Sequence, residues 1–407
     1  MTSRRVFLKQ SGGVALLSLG FAPTFLARTA QAAGTRKKLL VAVFQRGAVD
    51  GLNMVVPFGD AGYYAARPTI AIARAGRDGG AIDLDGFFGL HPRMAALAPW
   101  WQRGQLAIVH ASGSPDATRS HFDAQDYMES ATPGVKSTRD GWLNRYLQAQ
   151  HGRSPLRAVA LTAQMPRALQ GVAPALAVNR LDDFALRGPS SAALESSYAA
   201  SGDSLLDATA AEAFEAMRTM SASLTGRYTP AQGVVYPRSP FGQALEEIAR
   251  LAKADVGLEI AFAESTQWDH HANQGGATGQ MANRLDDFSR GLAALALDLG
   301  DRLADTVILT MSEFGRAVSQ NGSGGTDHGH GNAMLLLGGP VRGGHVYGKW
   351  PGLAESARHD GRDLAITTDF RDVFAEVVVK HLGADAQTAA AVFPGYAVKP
   401  SSFRGLL

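Results

Sequence analysis

Lys38-Leu39-Leu40-Val41-Ala42-Val43-Phe44, followed at once by Gln45-Arg46-Gly47-Ala48-Val49-Asp50-Gly51-Leu52-Asn53, is the stretch on which the fold turns. An apolar run without polar alternation suits a strand buried on both faces, as in a parallel sheet. The polar, glycine-containing segment behind it has the composition of a loop at the strand's carboxyl end. The pairing recurs downstream: apolar runs predict strands over Gln105–Ala111, Ala158–Thr162, Leu258–Ala263, Thr306–Met311 and Ala333–Leu337. Between the fourth and fifth strands, Met281, Leu285, Phe288, Leu292, Leu295 and Leu299 recur at steps of three and four and predict an amphipathic helix. A last helix is expected from Asp369 to Leu382, stopped by Gly383. Strands and helices in alternation imply an α/β protein with helices on both sides of a mostly parallel sheet. The Ala- and Ser-rich stretch 165–253, with a helical pattern over Ser204–Thr225, reads as a mostly helical insertion over one end of that sheet.

The amino terminus carries a different message. Ser3-Arg4-Arg5-Val6-Phe7-Leu8-Lys9 is a twin-arginine consensus, followed by a weakly apolar stretch from Gly12 to Leu26 and the small-x-small site Ala30-Gln31-Ala32. This order predicts a cleaved export signal over residues 1–32 and a mature domain over 33–407. The apolar stretch, broken by Gly20 and Pro23, is too short for a stable membrane span. The twin-arginine translocase is then the export partner, and the protein works in the periplasm or beyond. The full chain has 39 basic and 37 acidic residues. Removing Arg4, Arg5, Lys9 and Arg28 with the signal leaves 35 basic residues against 37 acidic, which argues for neither nucleic acid nor an anionic membrane as a partner; no nucleic acid is expected. The 407 residues include no cysteine, so disulfides, thiolate metal sites and cysteine nucleophiles are excluded.

Ligands of open α/β folds bind beyond the carboxyl ends of the strands, and the polar clusters of this chain gather there. After the second strand come Ser112-Gly113-Ser114 and Arg119-Ser120-His121-Phe122-Asp123; after the fourth, Gln267-Trp268-Asp269-His270-His271. The fifth is followed by Ser312-Glu313-Phe314-Gly315-Arg316 and then Thr326-Asp327-His328-Gly329-His330. Asp and neutral His are standard ligands of zinc, and carboxylates also suit manganese or iron. Asp269 with His271, and Asp327 with His328, are therefore candidate metal ligands. Asp50 and Glu313 enlarge the carboxylate set, although Asp50-Gly51 also fits a plain turn and Glu313 a helix cap or salt bridge. Such a set suits one or two divalent ions that clamp the oxygens of a displacement. Ser120 is either a nucleophile or the N-cap of a helix from Phe122 to Ser130. Arg46, Arg119 and Arg316 are candidate oxyanion-binding forks. His270 and His330 stand as supporting, substrate-facing or solvated groups.

These motifs together resemble a group of twin-arginine-exported bacterial proteins of unknown function, distantly related to the alkaline phosphatase and sulfatase superfamily. The resemblance lies in the signal, in Phe44 to Asn53, Arg119 to Asp126, Trp268 to His271, Ser312 to Arg316, and Gly325 to Gly329 ahead of Gly338-Gly339. It implies an alkaline phosphatase-like central sheet with a metal site at its carboxyl edge. By position, Asp50 resembles the first metal-binding Asp of the superfamily, and Ser120 falls near its nucleophile. Asp269, His271 and His328 resemble one metal site, while Glu313-Phe314 stands where relatives keep an Asp-His pair. Neither Ser112, Ser114 nor Ser120 has the flanking pattern of a formylglycine site, which argues against a formylglycine sulfatase.

The expectation is a metal-dependent hydrolase of a phosphate- or sulfate-type ester, acting on a small-molecule or polymeric substrate. Asp50, Asp269, His271, Glu313, Asp327 and His328 are the candidate ligands. Zinc is the leading ion, with manganese, calcium or iron as alternatives. The rival expectation is a non-catalytic envelope protein that keeps the fold and assists assembly or export of a surface polymer or secreted protein.

Overall fold

Strand β1 (Leu39–Gln45) shows how both faces of the sheet are buried. Leu39, Val41 and Val43 enter one apolar layer and Leu40, Ala42 and Phe44 the other, all without solvent exposure. In this computed structural model the described residues are 37–150, 154, 156–184, 215–216, 218–219, 223–224 and 226–407. Residues 38–407 form one compact unit. The expected signal and most of the helical pattern over Ser204–Thr225 lie outside the described residues.

The further strands are β2 (Val55–Val56), β3 (Ile82–Asp83), β4 (Gly89–Leu90), β5 (Leu106–Gly113), β6 (Ala158–Ala160) and β7 (Leu176–Ala177). They continue with β8 (Ile260–Ser265), β9 (Thr306–Met311), β10 (Asn332–Gly338), β11 (His345–Tyr347) and β12 (Thr368–Asp369). Nine of them build the main sheet in the order β11-β5-β10-β9-β1-β8-β6-β7, with β12 paired to the end of β5. β10 runs antiparallel to both its neighbours, and every other pairing in this sheet is parallel. The expected α/β architecture, a mostly parallel sheet flanked by helices, is the observed one. β2, β4 and β3 form a small separate sheet.

Helices α4 (Pro240–Lys253) and α5 (Gln280–Leu299) cover the face that receives Val41 and Val43. All six residues of the expected apolar stripe on α5 are buried. The opposite layer holds α3 (Trp142–Ala149), α6 (Phe370–Glu376) and α7 (Ala386–Val392), with Trp142 stacked on Phe374 at 4.5 Å. Each large side chain so buried contributes about 1.5–3 kcal/mol. The last expected helix is present in two parts: α6 begins at its N-cap Asp369, and a π-helical turn follows over Val377–His381. That widened turn begins at three successive valines, whose branched side chains crowd the preceding turn.

Two described segments of the stretch 165–253 join the main fold. Leu176–Ala177 pairs in the main sheet beside β6. α4 packs within the core layer, its Phe241 stacked on Phe288 of α5 at 5.5 Å. The reason is the apolar face of Phe241, Leu245, Ile248 and Leu251, which has to be buried against another element.

Candidate metal centre

Parallel strands deliver their following loops to one rim, and the reversed strand β10 brings its preceding loop to the same rim. Four segments meet there: the start of helix α2 (His121–Ser130) after β5, the loop after β8, the loop after β9, and the approach to β10. Gly47, in the loop after β1, has φ +109°, and a Cβ on it would collide with the backbone nitrogens of Asp269 and Trp268. Its absence lets the first loop lie against the loop that carries Asp269. Gly325 plays the same part under the backbone of His271.

Three imidazoles converge. His328 Nε2 lies 3.0 Å from His121 Nε2 and 2.9 Å from His271 Nε2. Asp269 joins them, its Oδ1 3.0 Å from His271 Nε2 and 3.3 Å from His328 Nε2, its Oδ2 3.4 Å from His121 Nε2. His121, Asp269 and His328 form a group of side chains able to hold a metal ion.

The far side of each ring decides what its Nε2 can offer. His121 Nδ1 faces Glu313 Oε1 at 2.8 Å, His328 Nδ1 faces the Arg119 carbonyl at 2.9 Å, and His271 Nδ1 faces Asp327 Oδ1 at 3.5 Å. A carbonyl or carboxylate only accepts, so the Nδ1 of His121 and the Nδ1 of His328 carry the proton. In the neutral rings those two Nε2 atoms are then bare lone pairs that face each other and a carboxylate, while His271 Nε2 lies against His328 and Asp269 only. Lone pairs this close repel unless a positive charge, a proton or a metal ion, lies between them. Metal-binding histidines are oriented by the same kinds of outer partner, a carboxylate or a backbone carbonyl. Ligand atoms on a tetrahedral zinc ion lie about 3.3 Å apart, a few tenths of an ångström more than the N···N separations here. The donor set fits a divalent ion.

Electrostatics agree with that division of labour. Burial pushes the Asp269 carboxyl up, but the Arg316 guanidinium at 2.6 Å, with His271 and His121, outweighs it and holds the group below the usual range. His121 is raised, chiefly by its hydrogen bond to Glu313. His328 is lowered, chiefly by burial. Glu313 is fully buried; burial raises its pKa, yet hydrogen bonds from His121, Gln125 and the Gly47 N–H bring it below the ordinary value.

Of the residues expected at a metal, the structure brings together Asp269, His271 and His328. Asp50 lies apart, sealed in an ion pair with Arg67 (Oδ2 to Nη1, 2.6 Å) and bonded to Gln274. Glu313 stands behind His121, with Oε1 occupied by His121 Nδ1, Gln125 and Gly47. Asp327 is exposed and faces His271 and Asn321, whereas the expectation had it beside His328. His121 is the donor that sequence reasoning passed over; it stood in the same cluster as Ser120, one position on.

The remaining candidates are placed as follows. Ser120 is the N-cap of α2, with its hydroxyl 3.5 Å from the Asp123 N–H. Arg46 is taken up by Glu129, Glu264 and Gln125. Arg316, buried, binds Asp269 and the carbonyls of Gly47, Ala48, Trp268 and Thr326. Arg119 holds Asp363 through Nε and Nη2 and is 38% exposed. His270 is buried, and His330 is buried and stacked on His359 at 4.2 Å, so neither is a solvated surface group.

The model of a family described as "Protein of unknown function (DUF1501)" matches residues 37–396. No curated protein sequence matches. Among solved structures, the PsFucS1 sulfatase from Pseudoalteromonas sp. is similar at 12% identity and a TM-score of 0.37, over 93% of this chain and 72% of its own. The C-terminal periplasmic domain of EcEptC from Escherichia coli, in complex with Zn, is similar at 10% identity and 0.37, over 92% and 93%. A phosphonate monoester hydrolase of Agrobacterium radiobacter follows at 11% and 0.31, over 84% and 73%. At these identities and TM-scores the neighbours place no activity on this chain.

Proposed function

Because the chain belongs to the family described as Protein of unknown function (DUF1501), its site has to carry the argument, and we propose a hydrolase of a phosphate- or sulfate-type ester that depends on a divalent ion. His121, Asp269 and His328 would hold the ion. The observation that carries the proposal is the convergence of the His121 and His328 Nε2 atoms, whose outer nitrogens are already committed, on each other and on the Asp269 carboxylate. Two nitrogens and one oxygen favour zinc over manganese or iron, and least of all calcium.

The chain's own residues set the charge and the geometry. Arg316 neutralises Asp269, so the donor set is close to neutral before an ion enters. A divalent ion would offset the carboxylates of Glu313 and Asp327 that stand behind His121 and His271, at a partly exposed rim (Asp269 side chain 42%, His271 46%) open to an anionic ester. The ion would supply Lewis-acid polarisation of the ester oxygens. Arg119, one residue from Ser120 and tied by its carbonyl to His328, is the group proposed to meet the ester's oxyanion; its Nη1 takes no part in the pair with Asp363. Ser120 is the proposed nucleophile, since its long capping contact leaves the hydroxyl largely uncommitted. Export by the twin-arginine translocase to the periplasm is proposed alongside. Arg4→Lys with Arg5→Lys should then leave the protein in the cytoplasm, and undiminished export would exclude that route.

The test of the activity is metal content by mass spectrometry together with turnover on a panel of aryl phosphate and aryl sulfate esters. Asp269→Ala should abolish both. A folded wild type that takes no ion on resupply, or turnover untouched by Asp269→Ala, would sink the proposal. A protein that binds zinc, loses stability with it and turns over no ester on the panel would be the non-catalytic envelope protein.

A further inference from the structure

Two carboxylates, Asp50 and Asp269, follow neighbouring strands of the same sheet, and a two-ion site would need a cation at each. We infer that the cation at Asp50 is built in: the guanidinium of Arg67 occupies that position, so the chain takes no divalent ion there and the site at Asp269 works alone. The inference goes beyond the proposed activity: the statement about Asp50 stands without it, and the statement that the site at Asp269 works alone rests on it.

Local structure explains how the arginine arrives. The short helix Ala61–Ala66 ends at Arg67, the residue before Pro68, where a following proline disfavours helical backbone. The backbone there adopts φ −133° and ψ 56°, outside the helical region. The side chain is fully buried. Its Nη1 donates to Asp50 Oδ2 at 2.6 Å and to Asn53 Oδ1 at 2.8 Å, its Nε to the Val318 carbonyl at 2.8 Å and its Nη2 to the Ala317 carbonyl at 3.0 Å. Tyr63 packs its ring 5.8 Å from the guanidinium carbon and donates its hydroxyl to the same Asn53 oxygen at 2.7 Å.

The donor set at Asp50 does not suit a metal. Oδ2 is already shared between Arg67 and the Gln274 amide, at 2.6 and 2.7 Å, and Oδ1, buried without a hydrogen-bond partner, is the one oxygen left to a ligand. Among the described residues Asp50 belongs to no group of three His or carboxylate donors. A divalent ion would have to enter a closed pocket against a resident positive charge. A guanidinium can satisfy a buried carboxylate and several carbonyls at once, and it stays charged at every pH the protein meets. A hydrogen-bonded path joins the two centres: Asp50 to Gln274, Gln274 to the Thr326 hydroxyl, the Thr326 carbonyl to Arg316, and Arg316 to Asp269. Each carboxylate thus has its own arginine, but only Asp269 also has imidazoles.

The test is the number of zinc, manganese or calcium ions bound per full chain, read by native mass spectrometry for the wild type, Asp50→Asn and His121→Ala. The expected result is an unchanged count in Asp50→Asn. Loss of one ion in Asp50→Asn, with that ion retained in His121→Ala, would overturn the inference. If the wild type binds none, the proposed site at Asp269 fails while the inference about Asp50 stands. Should Asp50→Asn not fold, the uncharged pair Asp50→Asn with Arg67→Gln replaces it, with the same expectation. In Arg67→Ala the vacated position should gain a cation response: its melting temperature should rise with added divalent ion or millimolar guanidinium by several degrees more than the wild type's. A folded Arg67→Ala that responds no differently from the wild type would count against a cation position there.

Discussion

The surroundings of Asp50 and of Asp269 are built from the same start and end differently. Each carboxylate sits in a loop beyond a parallel strand, and each is gripped by an arginine at 2.6 Å. Asp50 and Arg67 are then closed over by Asn53, Tyr63 and Gln274, with exposures of 2% and 0%. Asp269 keeps a side chain 42% exposed and gathers three imidazoles whose free nitrogens face it. A carboxylate at a strand's carboxyl end is thus no sign of metal by itself. What matters is whether a resident cation balances its charge, as Arg67 does for Asp50 although Oδ1 is left without a hydrogen bond, or imidazole lone pairs are added to it.

That contrast can be broken most severely at Arg67. Arg67→Met should cost about 3–5 kcal/mol by stranding a buried carboxylate. Chemical denaturation is the measurement, and Asp50→Asn in the same background should recover a substantial part. An equally damaging double variant would mean that packing, and not charge, is what Arg67 supplies. Removing the ion should come next. With free zinc at a hundred times its dissociation constant, stabilisation is about 2.7 kcal/mol, so a chelator should lower the melting temperature of the wild type and leave Asp269→Ala unmoved. A smaller effect is expected of Glu313→Gln, which keeps the bulk and loses the charge behind His121: zinc affinity should fall about 10- to 100-fold in a competition titration with a chromophoric chelator. Unchanged affinity would show that His121 needs no buried anion to hold its tautomer. The smallest effect on stability is expected of Ser120→Ala, about 1 kcal/mol for a lost N-cap, with the ion count intact. Loss of the ion in that variant would place Ser120 among its ligands.

Much of this architecture can be read before any coordinates. The continuous apolar runs around Val41, Ile108, Ala261 and Ile308 are core strands, and the Met281 to Leu299 stripe is a buried helix face, because period and burial share one cause. Strands of two or three residues, such as Leu176–Ala177 and His345–Tyr347, are too short to show a period. At the site, Asp269 and His271 are visible because they stand two positions apart in one cluster, and His328 because it stands beside Asp327. His121 is masked by its neighbour Ser120, whose chemistry draws attention first. The fate of Asp50 depends on Arg67, seventeen positions downstream, and that pairing exists only once the chain has folded. The role of Glu313 is hidden similarly, since nothing local to it announces that its partner is His121, 192 positions away.

The reversed course of β10 has a consequence for how such a protein can diversify. Residues 312–331 leave the sheet at the end of β9 and re-enter it at the start of β10, its hydrogen-bonded neighbour, so the excursion begins and ends on one edge. It carries Glu313, Arg316, Asp327 and His328, yet contributes no strand to the nine. It is nonetheless clamped to its surroundings: Glu313 backs His121, Arg316 ties the loops after β1 and β8, and the carbonyls of Ala317 and Val318 hold Arg67. A change of length or charge here is therefore felt at both carboxylates at once, so the segment diversifies only together with the loops it joins.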